Sequence, residues 1–419
     1  MAQRSFHSIK GMPDMLPEQC EVVQKIERTA RDVFACFGFR EIRTPLLEET
    51  RVFTRSIGQD TDIVEKEMYS FTSRSGKDIS LRPEGTASII RAFIENGLFD
   101  PNTPDLTRLF YIGPMFRAER PQKGRLRQFH QIGAEVIGGH DPYIDAELIM
   151  SLDMFFSKIG VDDACISINS LGCKKDRDVF RKDLTAYLDS VSDGLCDNCK
   201  RRKDTNVLRV LDCKNPGCRD VVAGAPNIMG YLCGDCDAYY AKLKELLVSA
   251  RIRFSEKKDL VRGLDYYTGV IFEVTHASLG AQDAIAAGGR YDSLCRDMGG
   301  ADIGATGYAI GLERLMLIKL ADEFKPDRPG TFVIPMAAAF RDDVFDLVKE
   351  LRCSGICCEA GDPQRSFKSL MRKAHKEGRE YVVIIGEEEK KNMAFTLKNM
   401  DTGQQTSVSL DELRDALKK

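Results

Sequence analysis

Arg117 closes an apolar run that begins at Arg108. A basic stretch follows it, Arg120-Pro-Gln-Lys-Gly-Arg-Leu-Arg127, and then Gln128-Phe129-His130-Gln131. An arginine at the end of a strand, with more arginines on the next loop, can hold phosphate oxygens through bidentate bonds. The same pattern also fits a solvated edge hairpin whose Arg and Glu face water. A second arginine, Arg262, stands in Leu260-Val-Arg-Gly-Leu-Asp-Tyr-Tyr267, beside two tyrosines at a glycine-marked bend. In Ala287-Gly-Gly-Arg-Tyr-Asp292 the paired glycines let a backbone approach a flat ligand closely, or simply turn the chain. In Gly304-Ala-Thr-Gly-Tyr-Ala-Ile-Gly-Leu-Glu-Arg314 the small residues leave room for a planar base or for close helix–sheet packing. Arg314 opens a helix there, and anions are favoured at helix N-termini. The chemistry these four stretches have in common is the binding of anions and flat bases.

Cysteine supplies a second kind of candidate. Six of the 14 cysteines fall within residues 193–237. Cys196-x-x-Cys199 and Cys233-x-x-Cys236 have the knuckle spacing of a four-thiolate zinc site, with Cys213 and Cys218 between them able to replace one pair. A metal-free insertion is the alternative. If zinc binds, four thiolates leave no open position, so its role is structural.

These residues must be positioned by a chain of 419 residues with 61 Lys+Arg against 64 Asp+Glu, a formal charge of −3. Hydrophobic residues at 43% and charged residues at 30% describe a globular protein of several domains and exclude a disordered one. No apolar run reaches the roughly 18 residues of a membrane span. The N-terminal segment lacks the apolar core of a secretory signal, so the expected compartment is the cytoplasm. A near-zero charge argues at first against nucleic acid as a partner, but the charge is unevenly spread. Dense basic patches occur at 117–127, 200–203 and 365–379.

The periodicity predicts a helix from Pro17 to Gly38, burying Val22, Val23, Ile26, Ala30, Val33 and Phe34. A strand is expected over Arg40–Thr44, ended by Pro45, and a helix from Thr86 to Gly97. Two strands should flank the basic loop, at 108–117 and 129–137. Helix follows at about 143–158, strand at 164–169 and helix at 174–190. Strands are expected again at 251–256, 266–275 and 283–287. The proline-containing stretch from Asp322 to Gly330 reads as a linker, and alternating strands and helices beyond it predict a small domain with a mixed sheet. Within that domain Arg365, Lys368, Arg372, Lys376 and Arg379 recur at helical spacing, a face suited to phosphates.

Together and in this order, the stretches resemble the signature motifs of the class II aminoacyl-tRNA synthetases, and within that class the histidyl-tRNA synthetase family. Phe39 to Glu48, with Pro45, resembles the dimer-forming motif 1. Phe116-Arg-Ala-Glu119 through Glu135 resembles motif 2, and Gly304 to Leu315 motif 3. Leu260–Tyr267 and Gly288–Tyr291 resemble the two motifs peculiar to the histidine enzymes. Arg55-Ser-Ile-Gly58, Asp62 to Met68 and Leu81-Arg-Pro-Glu-Gly-Thr86 match the family as well.

The resemblance implies an α+β catalytic core, an antiparallel sheet flanked by helices, over residues 1–325. It would carry an insertion at about 170–250, with an α/β anticodon-binding domain at 331–419. It implies a homodimeric histidine–tRNA ligase that joins L-histidine to ATP as histidyl-adenylate and passes the histidyl group to tRNA(His), with Mg²⁺ accompanying ATP. Arg117, Arg262 and Arg314 would be the catalytic arginines. Arg117, Glu119, Arg125 and Arg314 would hold ATP. Glu84, Gly85, Thr86, Arg117, Gln131, Glu135, Arg262, Tyr266, Tyr267 and Tyr291 would receive histidine, with Glu135 accepting the ring N–H. The cysteines depart from the family, which does not require zinc; on spacing alone, Cys196, Cys199, Cys233 and Cys236 would hold it. The competing reading is a non-catalytic, synthetase-like regulatory subunit of ATP phosphoribosyltransferase. Such paralogues lose adenylation residues and lack the anticodon-binding domain, whereas Arg117, Arg262, Arg314 and residues 331–419 are all present here.

Overall fold

The computed structural model describes residues 6–58, 61–100, 105–213, 215–320 and 330–418. The chain forms two compact units. The expected linker falls on residues outside those described, Gly330 apart.

The first unit is built on an eight-stranded sheet. Its strands in chain order are β1 (Arg40–Glu41), β2 (Thr107–Phe116), β3 (Gln128–Ile137), β4 (Cys165–Ser170), β5 (Phe254–Glu256), β6 (Val270–Thr275), β7 (Ala284–Arg290) and β8 (Ala305–Gly311). Across the sheet they run β1-β2-β3-β8-β7-β6-β4-β5. The six central strands pair antiparallel, and only the outermost pairs, β1 with β2 and β4 with β5, are parallel. Helix α1 (Pro17–Cys36) starts with Pro17 at its first turn and buries the six residues its periodicity selects. Phe34 of that face stacks on Phe110 of β2, centroids 4.7 Å apart.

Three expected strands are shorter in the structure; the one expected at 251–256 is reduced to β5, after Arg251 takes a positive φ of 59°. β1 stops at Glu41, because beyond Ile42 the chain turns away and Thr44 accepts hydrogen bonds from Arg82 through both its carbonyl and its hydroxyl oxygen. β6 begins at Val270 rather than 266. Gly269 takes a positive φ of 62° and donates its N–H to Gly172, out of the ladder.

Helix α2 (Thr86–Glu95) and helix α3 (Pro142–Lys158) flank the sheet. α3 is tied to β7 by an ion pair buried on both sides. Arg290 donates to both oxygens of Asp145 at 3.0 and 3.1 Å, and the Tyr239 hydroxyl donates to the same carboxylate at 2.9 Å. After β4 the chain leaves the sheet as helix α4 (Lys174–Ser190) and helix α5 (Asp197–Thr205), and returns through helix α6 (Gly234–Ser249).

The second unit holds a five-stranded sheet of β9 (Thr331–Pro335), β10 (Cys358–Ala360), β11 (Tyr381–Ile385), β12 (Phe395–Asn399) and β13 (Gln405–Val408). The order is β10-β9-β11-β12-β13, parallel up to β11 and antiparallel beyond it, which is the mixed sheet expected. Helix α7 (Phe367–Lys376) seats Leu370 and Ala374 on Phe332 and Val382 of this sheet. Lys368, Arg372 and Lys376 are exposed on it, and Arg365 is exposed just before it. Arg379 does not share that surface. It lies beyond the helix end, buried over the Phe332 ring and ion-paired to Glu359 and Glu377.

Candidate active site

Register on the central sheet brings motifs distant in sequence together. β3 pairs with β8 so that Glu135 faces Gly307 and Gln131 faces Gly311, and β8 pairs with β7 so that Tyr308 faces Gly288. Gly307 is required here, since a Cβ on it would sit 1.6 Å from Oε2 of Glu135. The Glu135 carboxyl is fully buried; Thr86 donates to Oε1 at 2.7 Å and the Tyr291 hydroxyl donates to Oε2. Burial pushes its pKa up to about 8, against the pull of the Tyr291 and Thr86 hydroxyls.

Thr86 is presented by the start of α2, where Glu84 accepts from the backbone N–H groups of Thr86 and Ala87 at 2.7 and 2.8 Å. Burial raises the Glu84 pKa against those bonds. Tyr266 and Tyr267 pack at 4.7 Å, and Tyr291 meets Tyr266 edge-on at 5.5 Å.

An open cleft of about 1680 Å³ runs over this floor. Glu84, Thr86, Gln131, Tyr266 and Tyr267 line it, together with Arg117, Glu119, Arg125, Arg262 and Arg314. Gly85, Glu135 and Tyr291 are not wall residues, contrary to a simple reading of the motifs; they are buried behind the wall. Gly85 has a packing duty, because a Cβ on it would strike the Tyr111 ring at 2.2 Å, as one on Gly133 would at 2.3 Å.

The arginines are braced by backbone and by single carboxylates. Arg117 donates Nε to the Pro83 carbonyl at 2.9 Å and lies 5.2 Å from the Phe129 ring centre. Arg125 pairs with Glu119 at 3.1 Å, and Arg262 with Glu273 at 2.6 Å. Arg314 donates to the carbonyls of Gly124 and Ala284. Burial lowers the Arg314 pKa, and the nearby Arg125 and Arg117 lower it further, so the cleft is set up for a polyanion. Two polar atoms on the wall, Oε1 of Gln131 and Nε of Arg262, are buried with no hydrogen-bond partner. Such atoms mark where a ligand supplies the missing partner.

Several working residues carry no obvious signal in the sequence. Glu313 accepts from the backbone N–H of His130 and lies 2.8 Å from its ring Nδ1, which holds the residue preceding Arg314; this bond raises the His130 pKa. Arg177 on α4 donates to the Tyr267 carbonyl at 2.6 Å. Tyr111 stands between Gly85 and Gly133 with its hydroxyl buried and unpartnered. Glu273 was the most findable of these, as the one acidic residue in the apolar strand β6.

The cysteines group differently from the set expected by spacing. Cys196 and Cys199 converge with Cys213 and Cys218, while Cys233 and Cys236 converge with Cys173 and Asp176. The two C-x-x-C pairs head different helices, α5 and α6, and the chain between them folds back so that each finds other partners.

The antiparallel sheet, with three motif arginines on one cleft beside its floor, fits a class II aminoacyl-tRNA synthetase core. The family model for histidyl-tRNA synthetase matches residues 11–175 and 220–315, and that for the anticodon binding domain matches residues 331–419. Among curated relatives, the histidine–tRNA ligase of Syntrophotalea carbinolica is 44% identical over 99% of this chain and 98% of its own. That of Geobacter metallireducens is 46% identical over 96% and 97%. The apo Staphylococcus aureus histidyl-tRNA synthetase superposes with a TM-score of 0.82 at 30% identity, covering 99% and 100% of the two chains. A Bacillus halodurans structure described as an ATP phosphoribosyltransferase regulatory subunit/histidyl-tRNA synthetase reaches 0.66 at 22%, over 92% and 100%, and bears on the fold alone. The chain belongs to the histidyl-tRNA synthetase family. It is an aminoacyl-tRNA ligase for histidine rather than the regulatory subunit, and its substrates are histidine, ATP and tRNA. No helix among the described residues is long and apolar enough to cross a membrane.

Proposed function

We propose a division of labour among the cleft residues in which histidine sits over Thr86, Gln131 and the tyrosines, and ATP lies toward Arg314. The observation that carries it is the pair of unpartnered buried atoms, Gln131 Oε1 and Arg262 Nε, both on residues that line the cleft. An imidazole has one N–H to give and one nitrogen to receive. Gln131 Oε1 takes the N–H, and Glu135, buried behind the wall, holds Thr86 and Tyr291 in place around that pocket. An apolar amino acid would leave Gln131 Oε1 unpaired, which is the source of selectivity. Glu84 and Thr86 receive the substrate ammonium.

Adenylation joins the histidine carboxylate to the α-phosphate of ATP and expels pyrophosphate. It needs two anions brought together and charge spread over phosphate oxygens in the transition state. Arg117 holds the reacting carboxylate and α-phosphate, Arg262 flanks the α-phosphate from the other side, and Arg314 takes the γ-phosphate. Glu119 and Arg125 place the nucleotide. Mg²⁺ keeps several waters and needs only one or two carboxylates beside substrate phosphates. Glu119 and Glu273 on the cleft wall are oxygen donors of that kind, and when bound the ion would neutralise phosphate charge.

The same reading makes the protein a cytoplasmic homodimer. Leu46 and Leu47 within motif 1, and Phe71, are exposed apolar surface that a second copy would cover. A sedimenting mass near the single chain's 46.9 kDa would remove the dimer.

The test is pyrophosphate exchange into ATP across all amino acids. Exchange should require histidine, and Arg262→Ala should lower it by about a hundredfold or more, the scale of losing one charge-stabilising donor. Near-normal exchange in a folded Arg262→Ala protein would take that residue out of the reaction.

A further inference from the structure

The segment between α4 and α6 has little to hold it together. Apart from α5, its described residues form short turns and one helix of eight residues, Pro216–Ala223. Its apolar core is small and includes Cys199 and Cys218 themselves. A unit of this size usually needs a staple.

Two groups of ligand atoms are in place to supply one. In each, four atoms lie within 4.8 Å of one another. A tetrahedral zinc with Zn–S near 2.3 Å separates its sulfurs by about 3.8 Å, and Cys196 and Cys213 stand 3.9 Å apart. Both groups are built alike. Cys196 and Cys233 each precede the first residue of a helix, α5 or α6, and the second cysteine of the pair follows within the first turn. That placement aims the positive end of each helix at the sulfurs. The surroundings complete each group. The backbone N–H of Cys196 donates to the Cys218 sulfur at 3.1 Å. In the other group, the Asp176 carboxylate is fixed by the N–H groups of Cys173 and Cys233 at 3.1 and 3.2 Å, and each oxygen keeps a lone pair for a cation.

We propose that the chain binds two structural zinc ions, one held by Cys196, Cys199, Cys213 and Cys218, the other by Cys173, Asp176, Cys233 and Cys236. Each ion displaces protons from its thiols on binding, with no change of oxidation state. The first folds the segment onto itself. The second joins the first turn of α4 to the first turn of α6, where the chain leaves and re-enters the sheet. Both report to the cleft. Arg177, next to Asp176, holds the Tyr267 carbonyl, and α5 ends on Asn206, which donates to Asp265 at 2.6 Å.

The full chain, purified without chelator under reducing conditions, should carry two zinc per protomer by elemental analysis. One or none, or iron in their place, overturns the proposal. Cys213→Ser and Cys236→Ser should each lose one zinc and keep the other, and a variant that loses both or neither overturns the assignment of separate centres. Should those variants fail to fold, thiol titration of the unaltered protein decides. Adding zinc to stripped protein should shield seven of the 14 thiols from a thiol reagent; protection of four or fewer overturns it.

Discussion

Glu135 shows how much a single residue can owe to its surroundings. Its type and place on a strand mark it as polar in an otherwise apolar run, which the sequence makes plain. Its titration is a tertiary property. In the fold, burial pushes its pKa up to about 8, above the ordinary glutamate value of 4.5. Below pH 4.5 folded and unfolded forms both hold the proton. Above it the unfolded chain releases its proton while the folded one keeps it, so stability falls as pH rises toward 8. Glu135→Gln, which cannot ionise, should flatten this part of a stability–pH curve measured by urea unfolding between pH 5 and 8. The same variant should lower kcat/KM for histidine in the exchange assay by about tenfold, the scale of weakening one buried hydrogen bond to Thr86 or Tyr291. A curve that keeps its slope would mean that another group titrates there.

At the scale of elements, β3 and β8 do the positioning. Their register sets Glu135 opposite Gly307, and the missing side chain at Gly307 is the space the carboxyl occupies. Gly307→Ala should therefore cost about 1–3 kcal/mol of stability by overpacking, and histidine-dependent exchange should fall with it. Unchanged exchange in that variant would show that Glu135 can move aside. Helices α1 and α2 and the β2–β3 hairpin were legible because their apolar positions repeat at helical or alternating spacing, and that spacing decides which face is buried. The truncated β1 and late β6 were not. Their ends are set by bonds donated by Arg82 and by bonds from Gly269 and Thr268 to the carbonyls of Gly172 and Arg290, residues well separated in the chain.

For the whole molecule, the net charge of −3 hides an exposed basic helix face in the second unit. Lys368→Glu combined with Arg372→Glu should raise KM for tRNA in the charging assay and reduce its salt dependence, while pyrophosphate exchange stays unchanged. Loss of exchange as well would tie α7 to folding rather than to RNA. Arg379 would be a poor choice for that experiment, since it is buried and paired with Glu359 and Glu377.

The sequence by itself determined the family, the reaction and most of the cleft residues, because its motif arginines and glycines stand in the order and spacing of the histidyl-tRNA synthetase family. It also determined which faces of the main helices are buried, since periodicity is a local property. Only the tertiary structure decided which side chains meet. It placed Glu135 and Tyr291 behind the wall, gave Arg290 to Asp145, and turned Arg379 inward. It also separated the two cysteine pairs that spacing had joined. Spacing along a chain constrains contacts within a turn or two of helix, whereas partners across a fold depend on how the segments between them pack.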